Sequence, residues 1–250
     1  MGAVEGVDVL VRGGTLIDGS GAPARQVDLA IHEGKVLEMG PALTCPARQE
    51  IDATGRWVTP GFFDVHTHYD AEVEVSSGLT ESLRHGVTTV VMGNCSLSTC
   101  LGSPDEILSL FTRVESLPRE VLAGWLEGRV TWQGLAAYYD HLDGLPLGPN
   151  VASFLGHSSV RMAVMGLERA LGVRDASAGE LTQMTALVRE GMELGYLGLS
   201  IDMLPWHRMS DAPHRGISVP SQQASPAEYS ALAMEPRRFE SLAGEGEEFG

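Results

Sequence analysis

Two hydrophobic patterns divide the chain. Before residue 60, apolar side chains alternate with polar ones, as at Val7, Val9 and Val11, and glycine-rich clusters interrupt the runs. Alternation with a period of two is typical of half-buried β-strands. The runs on either side of Glu33-Gly34 predict a hairpin. We therefore expect a small antiparallel β element over residues 1–59, too thin to bury a core by itself.

From residue 60 the pattern changes to apolar, β-branched runs separated by amphipathic segments of helical length. One segment carries Phe111 and Val114 on its apolar side, and another begins at the capping box Ser177-x-x-Glu180. The apolar runs predict strands near residues 62–66, 87–92, 151–155 and 196–201. Strands that alternate with helices pair in parallel, with their carboxyl ends at one edge of the sheet. These observations predict an α/β fold of about four βα units over residues 60–235, followed by an acidic tail over 236–250.

Potential metal ligands follow the first two strands of this α/β part. His66-Thr67-His68 closes the first strand, and Cys95 follows Asn94 at the end of the second. Side chains two positions apart on a strand share a face, so both imidazoles point to one place, and parallel pairing brings the cysteine beside them. A single pair of histidines or a lone cysteine is often ordinary packing. The combination favours a zinc site made of His66, His68 and Cys95.

Other polar residues at the same edge are candidates for supporting roles. Asp64 is expected to orient the strand end or to contact a metal ligand without binding the metal itself. Asn94 is expected to fix the turn before the cysteine. His157, after the third strand, either lines a substrate pocket or caps a turn. His207 lies in the loop after the fourth strand, where it either contacts substrate or is solvated. Asp70 is expected in a solvent-facing turn.

Five motifs carry a resemblance to a known family. They are GGTLIDGSG (13–21), TPGFFDVHTHYD (59–70), GVTTVVMGNCS (86–96), VASFLGHSSVRMAVMG (151–166) and LGYLGLSIDM (194–203). Together they resemble the amidohydrolase superfamily and, within it, the N-acyl-D-amino-acid deacylases, or D-aminoacylases, over residues 7–233. The resemblance implies the N-terminal part of a (β/α)₈ TIM-type barrel, preceded by the first part of a small β-sandwich.

The resemblance also implies a reaction. In such deacylases zinc, as one or two ions, activates a water that attacks the amide carbonyl of an N-acyl-D-amino acid. His66, His68 and Cys95 would be ligands, while two further histidines on strands five and six and an aspartate base on strand eight complete the site. Those strands are not in this sequence, so no catalytic residue is assigned, and we expect a truncated chain that is inactive alone. Lys35 is the only lysine, and it lies outside the barrel region, which excludes a bridging carboxylated lysine.

Two alternatives to this function stay open. The first keeps the superfamily but changes the substrate to a cyclic amide, or changes the reaction to a deamination. The second is a non-catalytic fragment that binds a metal or a partner. The open barrel edges of such a fragment predict self-association.

Composition restricts the partners and the compartment. A net charge of −16 argues against a nucleic-acid partner, because binding phosphates needs a basic face. No apolar run approaches the roughly 20 residues that span a bilayer, and residues 1–10 lack the features of a signal peptide. Three cysteines do not suggest a disulfide framework. We therefore expect a cytoplasmic protein that binds a small N-acyl amino acid, without nucleic-acid or membrane partners.

Overall fold

The computed structural model describes residues 6–113 and 117–243, and the chain divides into two compact units, Met1–Gly61 and Phe62–Gly250. The first unit is a five-stranded sheet. Its strands are β1 (Val7–Leu16), β2 (Arg25–His32), β3 (Lys35–Gly40), β4 (Ala47–Asp52) and β5 (Trp57–Val58). Its small core consists of Val7, Leu10 and Ala30, against which Leu43 packs.

The sheet of the first unit is mixed. β1, β2 and β3 form an antiparallel meander, and the predicted hairpin turns at Glu33 and Gly34, whose φ angles of 48° and 75° suit a two-residue hairpin. β4 and β5, however, run parallel to β1, so the prediction of a purely antiparallel element is wrong. The reason is the crossover at 41–46, which returns the chain to the start of β1, where Ala47 pairs with Val7. The sandwich expected from the resemblance stays a prediction.

The second unit contains parallel strands in the predicted order. These are β6 (Phe62–Asp64), β7 (Val87–Met92) and β8 (Asn150–Ser153) in one sheet, and β9 (Leu155–Gly156) and β10 (Leu199–Ser200) as a pair. The third predicted strand is split at Phe154, whose N–H donates to the Met92 carbonyl at 2.9 Å, whereas the next N–H, of Leu155, donates to Gly198 at 2.9 Å. One run of sequence therefore pairs with β7 on one side and β10 on the other.

Helices separate these strands. They are α1 (Thr80–Arg84), α2 (Pro104–Phe111), α3 (Arg119–Leu126), α4 (Leu135–Asp143), α5 (His157–Met165), α6 (Leu167–Gly172), α7 (Ala178–Glu193), α8 (Pro220–Gln223) and α9 (Pro226–Ala243), with a 3₁₀ turn at Glu72–Glu74. The capping box at the start of α7 is confirmed, since Ser177 and Glu180 bond reciprocally. Val114 and residues 244–250 of the expected tail lie outside the described residues, while 236–243 continue α9.

Two apolar clusters hold the second unit together. One surrounds Tyr138, Leu155 and Val188, and the other joins α2 and α3 through Phe111 and Leu122. The two clusters pack the helices beside the strand ends. These helices therefore form the walls of any site at that edge. Within the described part of the chain, no helix is both long and apolar enough to cross a bilayer.

A buried ion pair ties α9 to α5. Glu228 accepts from His157 Nε2 at 2.9 Å through one carboxylate oxygen and pairs with the guanidinium of Arg161 through the other. Arg161 also donates to the carbonyl oxygens of Ala170 and Val173. All three charged or ionisable side chains are inaccessible to solvent, and Glu228 is the carboxylate that both His157 and Arg161 contact.

This arrangement predicts that Glu228→Ala destabilises the fold strongly. Leaving Arg161 buried without its carboxylate should cost about 3–5 kcal/mol of unfolding free energy, measured by urea denaturation. Glu81→Ala is the matched control, because the pair of Glu81 with Arg84 is exposed and such pairs contribute about 0–1 kcal/mol. Equal losses in the two variants would contradict a stabilising role for the buried pair.

Candidate metal centre

Two imidazoles and one thiol converge at the carboxyl ends of β6 and β7. The ligand atoms of His66, His68 and Cys95 all lie within 4.8 Å of one another, and Cys95 Sγ is 3.4 Å from His66 Nε2. The two imidazole rings are edge-on, with centroids 5.4 Å apart. The convergence expected from adjacent parallel strand ends is therefore observed, and it makes these three side chains a candidate metal site.

The residue between the histidines anchors them. Thr67 is buried, and both its N–H and its hydroxyl donate to the carbonyl oxygen of Val91, at 3.1 and 2.7 Å. Thr67 is thereby held against the end of β7, and the imidazoles of His66 and His68 on either side of it converge on Cys95. Asp64 accepts the N–H of His66 at 3.2 Å, so it orients the strand end by its contact with the main chain. This is the first of the two roles that its position suggested.

Cys95 is presented by a strained loop, which we call the cysteine loop (residues 93–98). Cys95 and Ser96 have φ angles of 51° and 65°, a region that costs a non-glycine residue about 1–3 kcal/mol. Several hydrogen bonds hold this conformation. Ser96 N–H donates to Ser200 Oγ at 3.1 Å, Ser96 Oγ and Ser158 Oγ are 2.7 Å apart, and Arg113 donates to the Cys95 carbonyl at 3.1 Å. These hydrogen bonds fix the main chain that carries the thiol.

Buried polar groups fix the start of the cysteine loop. Asn94 donates from its amide to the Val91 carbonyl at 2.9 Å and to the Thr67 carbonyl at 3.3 Å, as expected of a residue that shapes the turn. Asp70 accepts the N–H of Gly93 at 3.1 Å and is fully buried, so the expectation of a solvent-facing Asp70 is wrong. Burial raises the pKa of Asp70 to about 7. The segment that follows the histidines thus turns inward to support the cysteine.

The electrostatic environment favours the neutral forms of His68 and Cys95. Burial, with a smaller contribution from His66, lowers the pKa of His68 to about 4, so its ring nitrogens carry no extra proton at pH 7. Burial also raises the pKa of the Cys95 thiol, and the carboxylate of Asp202 adds to this increase. A cation at this place would displace the thiol proton, because metals bind the thiolate.

Asp202 and Arg113 are neighbours of the site that the sequence analysis missed. Arg113 donates to Asp202 at 3.3 Å as well as to the Cys95 carbonyl, and His207 Nδ1 lies 2.6 Å from the same carboxylate. Both Asp202 and His207 are close enough to His68 to influence its titration. Asp202 could have been found by the signal that found Cys95, since it comes just after a strand, β10. Arg113 lies beyond α2 and carries no such signal.

The two histidines expected to contact substrate have different surroundings. His157 is fully buried, with Nδ1 3.0 Å from Ser221 Oγ and Nε2 bonded to Glu228. It therefore does not line an open pocket, contrary to that prediction, because the helix it begins, α5, turns its ring towards α8 and α9. His207 is half-buried beside Asp202, on the side of the metal candidate.

The donor set fits zinc. Two imidazoles and a thiolate are preferred zinc ligands, and ligands of a tetrahedral zinc ion lie roughly 3.3–3.6 Å apart. The 3.4 Å between Cys95 and His66 meets this requirement, and the remaining separations need only small side-chain movements. Nδ1 of His68 is buried and has no hydrogen-bond partner in the described part of the chain, so this ring is not committed to another group.

Comparisons with known proteins find related sequences. The sequence model of the Amidohydrolase family matches residues 49–235. An uncharacterised protein of Mycobacterium tuberculosis is 48% identical over 199 residues, and a D-aminoacylase of Alcaligenes xylosoxydans xylosoxydans is 35% identical over 194 residues. Both alignments cover 77% of this chain but only 32% and 37% of those proteins. The chain thus spans about a third of the length of these relatives.

A solved structure has the same α/β fold. The N-acyl-D-glutamate deacylase of Bordetella bronchiseptica, crystallised with zinc and a phosphonate inhibitor, superimposes with a TM-score of 0.72 at 28% sequence identity. The superposition covers 94% of this chain and 44% of that protein. The fold of the described residues therefore matches that of a zinc-containing deacylase.

The geometry of the cysteine loop predicts that Gly93→Ala is destabilising. Gly93 has a φ of 75°, and an added Cβ would lie 2.0 Å from the carbonyl oxygen of Phe154. The backbone conformation alone should cost roughly 1–2 kcal/mol, and the clash increases the loss. Gly179→Ala, at an open position in α7, is the control and should change stability by no more than about 1 kcal/mol. Urea denaturation measures both, and an unchanged midpoint for Gly93→Ala would contradict the close packing described.

Proposed function

Since this chain belongs to the amidohydrolase family, we propose that it is the zinc-binding portion of a hydrolase that cleaves the linear amide of an N-acyl-D-amino acid. The observation that carries the proposal is the convergence of His66, His68 and Cys95 at one sheet edge. The D-aminoacylase and the N-acyl-D-glutamate deacylase among its relatives support this substrate class. The position of Lys35, the only lysine, in the first unit also supports it, because it leaves no lysine for a bridging ligand.

The residues at this sheet edge have different proposed roles. Zinc held by His66, His68 and Cys95 supplies Lewis acidity, which polarises an amide carbonyl and acidifies water. The two imidazoles donate as neutral ligands, and Cys95 releases its proton on binding. Asp64 and Asn94 hold the backbone on either side of these ligands, so that the donors need little reorganisation.

His207 is the proposed substrate contact. Its Nδ1 is directed at the carboxylate of Asp202, which fixes the ring and the tautomer. Its Nε2 has no hydrogen-bond partner among the described residues and is left for a polar group of the substrate. Arg113 neutralises Asp202 from the other side, so the carboxylate positions His207 without repelling an anionic substrate.

We propose that the described strands of the second unit form about half of a (β/α)₈ barrel, with the general base supplied by an aspartate beyond this sequence. The edge of β6 supports an incomplete barrel, because the side chains of Phe62, Phe63 and Val65 there are 57–63% exposed. Apolar side chains and unpaired main-chain groups on an edge strand favour association with another chain. This observation also favours the second candidate function, a metal-binding fragment that associates with a partner or with itself.

The ligand assignment predicts a loss of zinc when the thiol is removed. Cys95→Ala should lower the zinc retained after dialysis at least tenfold, because two imidazoles alone form a weak site. Cys45→Ala, which removes a thiol from the first unit, is the matched control and should retain zinc as the unaltered chain does. The zinc content of both variants is measured by atomic absorption. Equal zinc retention by both variants would show that Cys95 is not a ligand.

The incomplete barrel predicts that the 250-residue chain self-associates and hydrolyses N-acetyl-D-methionine barely above background. A general base contributes typically ~10²–10⁴-fold to the rate, and none is assigned in this sequence. Sedimentation velocity measures the association state, and acetate release by the zinc-loaded chain measures turnover. Brisk turnover by a monomer would contradict both parts of this expectation and would place the base within the present chain.

A further inference from the structure

A pocket of about 240 Å³ opens beside the candidate metal centre. One wall is formed by His68, Ala71 and Glu72, which belong to the segment leading from β6 into the 3₁₀ turn. His68, a proposed metal ligand, is therefore itself part of the pocket wall. A group bound in this pocket would lie next to the reacting centre of the proposed function.

The opposite wall is apolar. It is formed by Phe111 at the end of α2, Leu122 and Trp125 on α3, and Leu117 between these helices. Phe111 and Leu122 are buried, so they make the rigid floor of the pocket, whereas Trp125 and Leu117 are half-exposed and stand at its mouth. Leu122 and Trp125 are one helical turn apart and share a face.

Glu72 is the one acidic group among the described residues that line the pocket. Its carboxylate has no hydrogen bond or ion pair among the described residues, and burial raises its pKa. An ionised Glu72 repels a second carboxylate that enters the same space. Within the part of the chain that the structure describes, no lysine or arginine lines the pocket to compensate such a charge.

We infer that this pocket binds the neutral, apolar group of an N-acyl-D-amino acid and disfavours an acidic one, an inference that rests on the proposed function. The volume equals that of roughly eight water molecules, enough for a branched aliphatic or a phenyl group. The group could come from the amino-acid side chain or from the acyl chain, and both present the same chemistry to Phe111, Leu122 and Trp125. Each methylene buried there tightens binding about fourfold.

The test compares four ligands on the 250-residue chain by isothermal titration calorimetry. N-acetyl-D-alanine is the reference, N-acetyl-D-leucine enlarges the side chain, N-hexanoyl-D-alanine enlarges the acyl group, and N-acetyl-D-glutamate adds a carboxylate. At least one of the two enlarged ligands should bind tenfold or more tightly than the reference, and the one that does so identifies which end of the substrate enters. The glutamate ligand should bind no tighter than the reference.

Substitutions in the pocket test whether the larger groups of the ligands bind there. Leu117→Trp should fill the mouth and abolish the gain from the larger group, whereas Val121→Trp, on the exposed side of α3, should leave it intact. Glu72→Gln should tighten binding of N-acetyl-D-glutamate several-fold. Equal binding of the reference and both enlarged ligands, no binding at all, or an equal effect of both tryptophan variants would overturn the inference.

A further ligand separates this inference from the proposed function. If N-acetyl-L-leucine binds as tightly as its D enantiomer and Leu117→Trp weakens both, the apolar pocket is supported while the D-amino-acid part of the proposed function fails. Zinc retention in the Leu117→Trp variant should equal that of the unaltered chain, because the change lies outside the donor set. A loss of zinc in that variant would show that the pocket and the metal site are not independent and would count against the assignment.

Discussion

The candidate site depends on the carbonyl oxygen of Val91. This single acceptor receives the N–H and the hydroxyl of Thr67 from the neighbouring segment and the amide of Asn94 from its own. The two hydrogen bonds from Thr67 join the end of β6 to the end of β7, and the third, from Asn94, closes the turn that follows β7. They also set the register in which His66 and His68 face the cysteine, since a slip of one residue would send both imidazoles to the opposite side of the sheet.

Buried polar groups then stabilise a conformation that the chain would not adopt freely. Cys95 and Ser96 both lie in the left-handed region, which is unfavourable for residues with a Cβ. Asp70 and Arg113 offset this cost through the N–H of Gly93 and the carbonyl of Cys95. Strain of this kind persists where surrounding contacts over-determine it, and it leaves the thiol in a defined place beside the imidazoles.

The surroundings of His68 are of two kinds. Asp202 connects Arg113 and His207 in a polar group that influences His68. Phe111 and Trp125 line an apolar pocket that His68 also lines. A group bound beside His68 would therefore meet a polar surface and an apolar one.

Local rules of the sequence determined the approximate positions of the strands, the proximity of His66 and His68, and the capping box of α7, because each follows from a pattern over a few residues. Tertiary structure alone decided the burial of Asp70 and His157, the hydrogen bond between Arg113 and Asp202, and the parallel pairing of β4 with β1. These features depend on contacts between residues far apart in the chain, 89 positions in the case of Arg113 and Asp202. Local pattern carries no information about such partners, since hydrophobic periodicity indicates which face is buried but not what lies against it.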